Sequence, residues 1–297
     1  LIIPANSASA AGGYAVDNSL RFNSGSSDNL SKSLSTPTND KKFTFSCWFK
    51  KSKNATEMNL FGYQPSGNAE AYIGFSDSDQ IRYADRDSGD TTPEIFLVSN
   101  AKLRDVSAWY HVVVSVDTTQ GTDSNRAKLY LNGEQITSLA NSTYPSQNYT
   151  PEMNSADGTK VIGADNNGNY FNGYMAEVIL VDGQALDPTS FGEFDEDSGI
   201  WKPIDVSGLT FGDNGFYFEY SDSSDLGVNS KGTDWTPNNL AAIDQSTDTC
   251  TNNFATMNPL DNFYAGSTFS EGNLNLVMAN TPTTWNTSTI GVSSGKW

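Results

Sequence analysis

The sequence predicts an all-β protein. Aromatic residues make up 12% of its 297 residues, and Gly, Ser, Thr, Asn and Asp dominate the remainder. This composition suits many short strands joined by turns. No window of about twelve residues shows the 3.6-residue apolar period of an amphipathic helix. A third observation is the segment 109–136, whose pattern predicts three consecutive antiparallel strands.

This central unit begins with a strand that has one apolar face. Four alternate residues share that face, as in a half-buried strand: Tyr110, Val112, Val114 and Val116. The next segment, 127–136, contains Asn132-Gly133, and these residues tolerate the positive φ that a type I′ hairpin turn requires. The polar loop 118–125 has no residue able to pack. We expect any ligand site in the loops that this hairpin supports rather than in the hairpin itself.

The same alternation places strands before and after this unit. They are expected at 19–22, 30–34, 42–51, 59–63, 70–75, 80–83, 94–99, 159–163 and 170–182, with later ones at 215–220 and 271–277. The turn 76–79 makes a hairpin, and 141–158, which is polar with two prolines, is expected to be a loop. One helical turn is expected over 185–191, with Asp187 as N-cap and Pro188 at its first position.

Charge excludes several classes of partner. The chain has 17 basic and 35 acidic residues, a formal net charge of −18, which repels nucleic acid and anionic membranes. No apolar run approaches the length of a membrane span, so no membrane insertion is expected. Residues 1–13 lack a basic region and indicate an N-terminal arm rather than a secretory signal.

The cysteines and the single histidine fit structural positions. Cys47 falls on the apolar face of the strand 42–51, and a free core cysteine is favoured over a disulfide with Cys250. One histidine excludes a multi-histidine metal site. Because no Gly-x-Ser-x-Gly motif is present, we expect His111 to be a partly buried structural residue.

Three phrases carry a family resemblance. Trp109-Tyr-His-Val112, Leu129-Tyr-Leu-Asn-Gly133 and Phe171-Asn-Gly-Tyr-Met-Ala-Glu-Val178 resemble a laminin-G/pentraxin-type concanavalin A-like sandwich. The resemblance covers about residues 14–200. It implies an antiparallel two-sheet jelly-roll sandwich over 14–203. The less patterned segment 204–297 is then an extended, partly β linker or the start of a second β-sandwich.

Further phrases are similar to modules of marine bacteriophage structural and tail-fibre proteins. They are Asn18–Asn23, Phe43–Trp48, Asp182–Leu186 and Trp235–Leu240, while Thr289–Trp297 resembles the opening strand of a SPRY-type sandwich. This resemblance implies a location on the virion surface. It also implies contacts with other virion proteins and with further copies of the chain.

Such sandwiches host lectins, glycanases and purely structural modules. The favoured function is a non-catalytic virion protein whose lectin-like sandwich attaches to host-surface glycan. A fibre or decoration protein without a ligand is the alternative. A glycoside hydrolase is a third reading, because Glu193-Phe-Asp-Glu-Asp197 resembles the Glu-x-Asp-x-x-Glu strand of glycanases with this fold. The final Glu is missing, so we expect an exposed acidic loop.

Glycan binding would use aromatic rings on an exposed sheet face beside hydrogen-bonding groups. Trp48 shares its strand face with polar residues, and three tyrosines lie opposite apolar partners beside a turn that carries two aspartates. The predicted ligand residues are Trp48, Tyr72, Asp77, Asp79, Tyr83 and Tyr130. The alternative, in which loops or the second sheet cover these rings, stays open.

No cofactor is expected, with calcium as an open alternative. Oxygen ligands occur in Asp165–Asn169 and in Asp222–Asp225 together with Asn229 and Asp234. Neither loop follows an EF-hand pattern, and such turns are also common for backbone reasons alone.

Overall fold

The computed structural model describes residues 13–63, 69–165, 168–262, 266–278 and 284–291. Within these ranges the chain forms strands and short 3₁₀ turns and no α-helix. The strands are β1 (Ser19–Phe22), β2 (Asn29–Ser33), β3 (Lys42–Lys51), β4 (Met58–Tyr63), β5 (Glu70–Phe75), β6 (Gln80–Arg86), β7 (Ile95–Lys102), β8 (Tyr110–Asp117), β9 (Ala127–Leu131), β10 (Glu134–Gln135), β11 (Leu139–Thr143), β12 (Thr159–Ile162), β13 (Gly173–Asp182), β14 (Gly192–Phe194), β15 (Trp201–Pro203), β16 (Phe216–Phe218), β17 (Thr236–Asn238), β18 (Gln245–Ser246), β19 (Met257–Asn262), β20 (Thr268–Ser270), β21 (Asn275–Val277) and β22 (Asn286–Ser288). The 3₁₀ turns are Asp123–Asn125, Glu152–Asn154, Pro188–Ser190 and Ala242–Asp244.

Two large antiparallel sheets form a sandwich, which confirms the predicted fold class. Sheet A has the order β10-β9-β8-β3-β13-β1-β18, with β16 paired to β13 beside β1. Sheet B has the order β11-β7-β6-β5-β4-β12-β2-β17. The polar edge strand β11 lies in the region that was expected to be a loop. That expectation is wrong for 141–143, the part of the expected loop 141–158 that belongs to β11, because these polar residues pair with β7.

The core lies between the sheets, and strand alternation decides which residues enter it. On β3, Phe43, Phe45 and Cys47 face sheet B and are fully buried. The ring of Phe45 stacks on Phe61 of β4 with 5.3 Å between centroids. Burial of each such side chain stabilises the fold by about 1.5–3 kcal/mol. Both Cys47 and Cys250 are free, as the sequence indicated.

The central unit forms as predicted. Strand β8 pairs with β9, and β9 pairs with β10 across a two-residue turn. Asn132 and Gly133 have φ angles of 48° and 85°, which fit the type I′ turn. The odd-numbered residues of β8, among them His111 and Val113, point away from the core and toward the outer side of sheet A.

A segment after β13 lies over that outer side of sheet A. Residues 188–213, here called the cover, bring in Phe191, Trp201, Val206 and Phe211, all largely buried against sheet A. The 3₁₀ turn begins at Pro188, with Asp187 in the predicted N-cap position, but the Asp187 side chain makes no capping hydrogen bond.

A β-bulge in β13 points an acidic side chain toward the same side. The register with β3 shifts between Ala176 and Ile179, and Glu177 has a φ of 49°. Its carboxylate accepts hydrogen bonds from the hydroxyls of Tyr217 at 2.7 Å and Tyr14 at 3.2 Å. A non-glycine residue in this conformation persists only where its surroundings hold it in place.

The expected boundary after residue 203 does not separate two packing units. Strands β16 and β18 extend sheet A, β17 extends sheet B, and Phe216 and Trp235 belong to the main core. The segment up to Ser246 is therefore part of the sandwich, since its aromatic side chains fill one core with those of β3 and β4. Beyond it, β19–β22 and β20–β21 form two small ribbons. Most of the N-terminal arm, residues 1–12, and positions 292–297 of the SPRY-like phrase lie outside the described residues.

Candidate functional site

The predicted ligand residue Trp48 lies beneath the cover. Its ring is 4% exposed and stacks on the imidazole of His111 at 4.7 Å between centroids. The indole of Trp201 donates a hydrogen bond to His111 Nδ1 at 3.0 Å. The alternative left open by the sequence, in which the chain itself covers the ring, holds for Trp48, because Trp201 of the cover packs on this face of sheet A.

His111 is a buried structural residue and is not a catalytic base. Its Nε2 lies 2.8 Å from Ser46 Oγ, while its Nδ1 accepts from an indole where a catalytic histidine would donate to a carboxylate. Since Nδ1 is an acceptor, Nε2 carries the proton and donates to Ser46. Burial lowers the pKa of His111 to about 3, so the imidazole is neutral at physiological pH.

Tyr83 and Asp79, both predicted as ligand residues, are also buried, and for the Tyr83 ring the covering alternative holds. Tyr83 lies in the core between the sheets and its hydroxyl donates to Asp85 at 3.1 Å. The carboxylate of Asp79 accepts from Lys51 Nζ at 2.8 Å and from the backbone N–H of Ala55. Both side chains already use their polar atoms within the fold. Asp79 is held by Lys51 of β3 and by the chain that follows it, and the Tyr83 ring packs edge-on against Phe43 of the facing sheet.

Tyr72 and Asp77 lie on or beside the outer face of sheet B. Tyr72 is half-buried under the guanidinium of Arg82, which lies 4.5 Å from the ring centroid. Asp77 is exposed in the β5–β6 turn. The six predicted residues thus occupy both outer faces and the core and do not converge on one place. Ligand binding by Tyr72 and Asp77 stays a prediction.

A polar pocket opens on the outer side of sheet A, beside the loop between β8 and β9. It has a volume of about 300 Å³, at the lower end of the about 300–1,000 Å³ typical of ligand pockets. We call it the β8–β9 pocket. Its lining consists of Ser115, Asp117, Gln120, Asn125, Lys128, Tyr130, Ala185 and Asp187.

Internal hydrogen bonds fix the loop at this pocket. Arg126 donates to the carbonyl oxygens of Gln120, Gly121 and Pro145 at 2.8–3.0 Å. Asp117 accepts from the backbone and side chain of Thr119. The loop 118–126 is therefore held in one shape by its own charged residues, although none of its side chains packs in a core.

The carboxylates at the pocket differ in their surroundings. Burial alone would raise the pKa of Asp117, but hydrogen bonds from Thr119, Gln120 and Lys42 outweigh it and lower the pKa, so this carboxylate is ionised. Asp187 is exposed, and the hydroxyl of Tyr130 donates to its Oδ1 at 3.4 Å. Burial, followed by the nearby charge of Asp187, raises the pKa of that tyrosine to about 12, which keeps it a neutral donor.

The pocket therefore presents carboxylates, amides, hydroxyls and one ammonium in a small volume. These groups suit a ligand with many hydroxyls, because each can donate or accept without a change of protonation. Of the lining residues, the sequence predicted only Tyr130 as a ligand residue. Asp187 reaches the pocket from a turn that is distant in sequence, and its N-cap position was the one local signal that marked it.

The acidic segment 193–197 is an exposed loop at β14. Lys202 Nζ lies 3.3 Å from Glu193 and 3.1 Å from Asp195. Hydrogen bonds from the backbone and side chain of Ser198, followed by that from Lys202, lower the pKa of Asp195 to about 2. Both carboxylates are thus bonded to Lys202 of the chain itself. The lowered pKa of Asp195 does not suit the protonated acid that glycoside hydrolysis requires.

In the two loops considered for calcium, aspartate carboxylates accept hydrogen bonds from the chain itself. Asp165 accepts from the side-chain amides of Asn59 and Asn169 at 2.8 and 2.9 Å, and Asp222 accepts from Ser224. Among the residues that the structure describes, no three His, Cys, Asp or Glu side chains lie close enough to hold a metal ion. Calcium binding stays an open alternative. Within the same ranges no helix is long and apolar enough to cross a bilayer.

Solved structures share this architecture. The chain resembles a candidate carbohydrate-binding protein from Bacteroides ovatus, with a TM-score of 0.52 and 16% identity over 76% of this chain and 59% of that one. It also resembles the heptameric SAP-like pentraxin of Limulus polyphemus, with a TM-score of 0.43, 14% identity, and coverage of 67% of this chain and 93% of the pentraxin. This chain therefore spans less than two thirds of the Bacteroides protein. A search of curated proteins found no match.

A family model, Laminin G 3, described as the concanavalin A-like lectin/glucanases superfamily, matches residues 23–190. The matched region runs from the end of β1 through β13 to the first turn of the cover, so it contains most of both sheets and the whole β8–β9 pocket. It makes up more than half of the chain. The chain therefore belongs to the laminin-G-like family of the concanavalin A-like lectin/glucanase superfamily.

Proposed function

We propose that this chain is a non-catalytic virion protein, a tail fibre or a capsid-exposed decoration, whose sandwich attaches to host-surface glycan through the β8–β9 pocket. The observation that carries the glycan part is the convergence of Lys128, Asp187 and the Tyr130 hydroxyl on one small polar pocket. The lectin-like fold supports the same reading at the level of architecture. The virion part rests on the resemblance of the phrases at residues 18–23, 182–186 and 235–240.

Attachment through this pocket would be weak at a single site. A pocket of about 300 Å³ takes a single sugar unit, and its polar groups must give up water to bind. Repetition of the chain on a particle compensates through avidity, which exceeds single-site affinity by about 10²–10⁴-fold. The net charge of −18 favours neutral glycans over sialylated or sulfated ones.

A glycan array with the chain displayed as a multimer tests this function. We expect neutral glycans to bind, and Asp187→Ala or Lys128→Ala to weaken binding about tenfold or more, since a hydrogen bond to a charged group contributes ~1.5–3 kcal/mol. Asp123→Ala, at an exposed carboxylate that does not line the pocket, is the matched control. Asp77→Ala tests the other predicted site, at the turn of sheet B. Loss of binding in Asp77→Ala but not in the pocket variants would move the site to sheet B. No binding to any glycan would remove the lectin function.

A structural fibre or decoration protein is the second candidate. It is favoured by exposed apolar side chains in the two C-terminal ribbons, where Leu260, Leu274 and Val277 are each about 60% exposed. Two-stranded ribbons are marginally stable alone and gain from packing against a neighbour. Light scattering distinguishes this candidate: a concentration-independent oligomer that Leu260→Ser with Val277→Ser dissociates supports it, and a stable monomer argues against it.

A further inference from the structure

Lys50 occupies an unusual position on the outer side of sheet A. It lies on β3, its side chain is 1% exposed, and its Nζ has three oxygen neighbours in the segment 248–254. Asp248 Oδ2 lies at 2.9 Å, Asn253 Oδ1 at 2.8 Å and the carbonyl oxygen of Phe254 at 2.8 Å. A buried amine is thus in contact with both a carboxylate and a carboxamide.

We propose that Lys50 and Asn253 form an intramolecular isopeptide bond, with Asp248 as the proton carrier. A buried lysine becomes a nucleophile when its proton is removed, and a carboxamide carbon is an electrophile that can release ammonia. The new bond would join β3, in the middle of sheet A, to the segment that follows β18. It requires no cofactor, oxidant or second chain.

The neighbours of each group are placed for this reaction. Asn253 Nδ2 donates to the carbonyl oxygen of Ser107 at 2.8 Å, which turns its Oδ1 toward Lys50. Trp109 Nε1 donates to Asp248 Oδ1 at 3.0 Å, which leaves Oδ2 facing the amine. Burial lowers the pKa of Lys50, although the charge of Asp248 opposes this shift, so the neutral amine becomes accessible.

The step balances in atoms and protons. Asp248 takes one proton from the Lys50 ammonium, and the neutral Nζ attacks Cγ of Asn253. As the new C–N bond forms, the C–Nδ2 bond breaks. A second proton from Nζ and the one held by Asp248 pass to the departing nitrogen, which leaves as ammonium. Asp248 returns to its carboxylate form. Held geometry of this kind can replace a bimolecular encounter by an effective molarity of about 10⁵–10⁸ M.

The test is the mass of the purified full-length chain. We expect the wild type to be lighter than its sequence by one ammonia, and trypsin to release a branched peptide that links Lys50 to Asn253. Lys50→Arg, Asp248→Asn and Asn253→Ala are each expected to restore the full mass. Asn252→Ala is the matched control and should keep the deficit, because the side chain of Asn252 donates to the Thr247 carbonyl and not to Lys50.

Two results would overturn the bond. A wild-type chain of full mass shows that the three contacts of Lys50 are non-covalent. A deficit located within one linear peptide shows that ammonia was lost by cyclisation of an asparagine onto its own backbone. Because the wild-type measurement alone decides the first point, the test does not depend on the variants folding.

Discussion

The outer faces of the two sheets differ in what lies over them. On sheet A, Trp48, His111 and Val113 are at most 4% exposed, because the cover and the segment 248–254 pack on them. On sheet B, Tyr72 and Phe96 lie half-buried in one cross-strand row, with the ion pair of Glu70 and Arg86 beside them.

The difference shows that polar residues along one face of a strand do not establish that this face is exposed to solvent. The outer face of β3 carries Thr44, Ser46 and Lys50, yet each is buried with a hydrogen-bond partner. Sheet A is a middle layer between sheet B and the segments that cover its outer face. The polar residues on that face form hydrogen bonds with one another and with those segments. Buried polar networks of this kind specify which segment can pack there. The β8–β9 pocket lies beside the start of the cover, where Ala185 and Asp187 line it.

The largest expected effect tests the cover itself. Trp201→Ala removes a buried indole and the hydrogen bond to His111, and we expect a loss of about 3–5 kcal/mol in unfolding free energy, measured by urea denaturation. Phe96→Ala, at a half-buried ring on sheet B, is the matched control and should cost about 1 kcal/mol. Equal losses of unfolding free energy in the two variants would contradict the conclusion that the outer face of sheet A is more tightly covered than that of sheet B. Burial lowers the pKa of His111. Trp201→Ala should therefore also raise that pKa, which an NMR titration of the imidazole measures.

A second prediction concerns the fit of the cover over the hairpin turn. A Cβ at Gly133 would lie 2.4 Å from the Trp201 ring, and the φ there is 85°. Gly133→Ala should cost ~1–3 kcal/mol for the backbone conformation and a further ~1–3 kcal/mol for overpacking. Gly89 also has positive φ, at 100°, but open space around it. Gly89→Ala should therefore show only the backbone cost, and a thermal or urea comparison separates the two. Similar losses of unfolding free energy in the two variants would mean that the cover shifts to accommodate the added methyl group.

A third prediction concerns the pH dependence of stability that Glu177, in the β-bulge of β13, should produce. Burial raises the pKa of Glu177 to about 7, despite hydrogen bonds from Tyr217 and Tyr14 that lower it. An exposed glutamate has a pKa of about 4.3, so this residue's contribution to stability is complete below about pH 4 and is lost as the pH rises through the folded-state value. Glu177→Gln should reduce the fall in unfolding free energy between about pH 5 and pH 8 by roughly 1–3 kcal/mol.

The control for this pH series is Glu134→Gln, which removes the same charge at an exposed position. It should leave the slope of stability against pH close to that of the wild type. An unchanged slope in Glu177→Gln would show that the bulge carboxylate does not govern the pH response of the sheet A side.

The smallest effect belongs to the open face of sheet B. Glu70 and Arg86 form an ion pair at 3.0 Å, with each side chain 21% exposed. Glu70→Gln should cost less than about 1 kcal/mol, and less again in high salt, since water screens partly exposed pairs. Urea unfolding at two salt concentrations measures both. A loss comparable to that at Trp201 would mean that sheet B is as tightly enclosed as sheet A.

Much of the fold could be predicted because its signals are local. Alternation of apolar residues on β3 and β8 follows from the two-residue period of a strand, and the Asn132-Gly133 turn follows from the φ angles it requires. The lining of the β8–β9 pocket was harder to predict from the sequence. Its location beside the β8–β9 loop could be expected, but Asp187 and Ala185 reach it from a turn more than fifty residues away.

The sequence by itself determined the all-β class, the central meander, the free cysteines and the family. Tertiary structure alone decided which face of each sheet meets solvent, the incorporation of residues 204–246 into the sandwich, and the partners of Lys50. The physical reason is that strand periodicity records which residues share a face. It does not record which distant segment lies over that face, since a tryptophan beside polar residues packs equally well under its own chain or against a ligand.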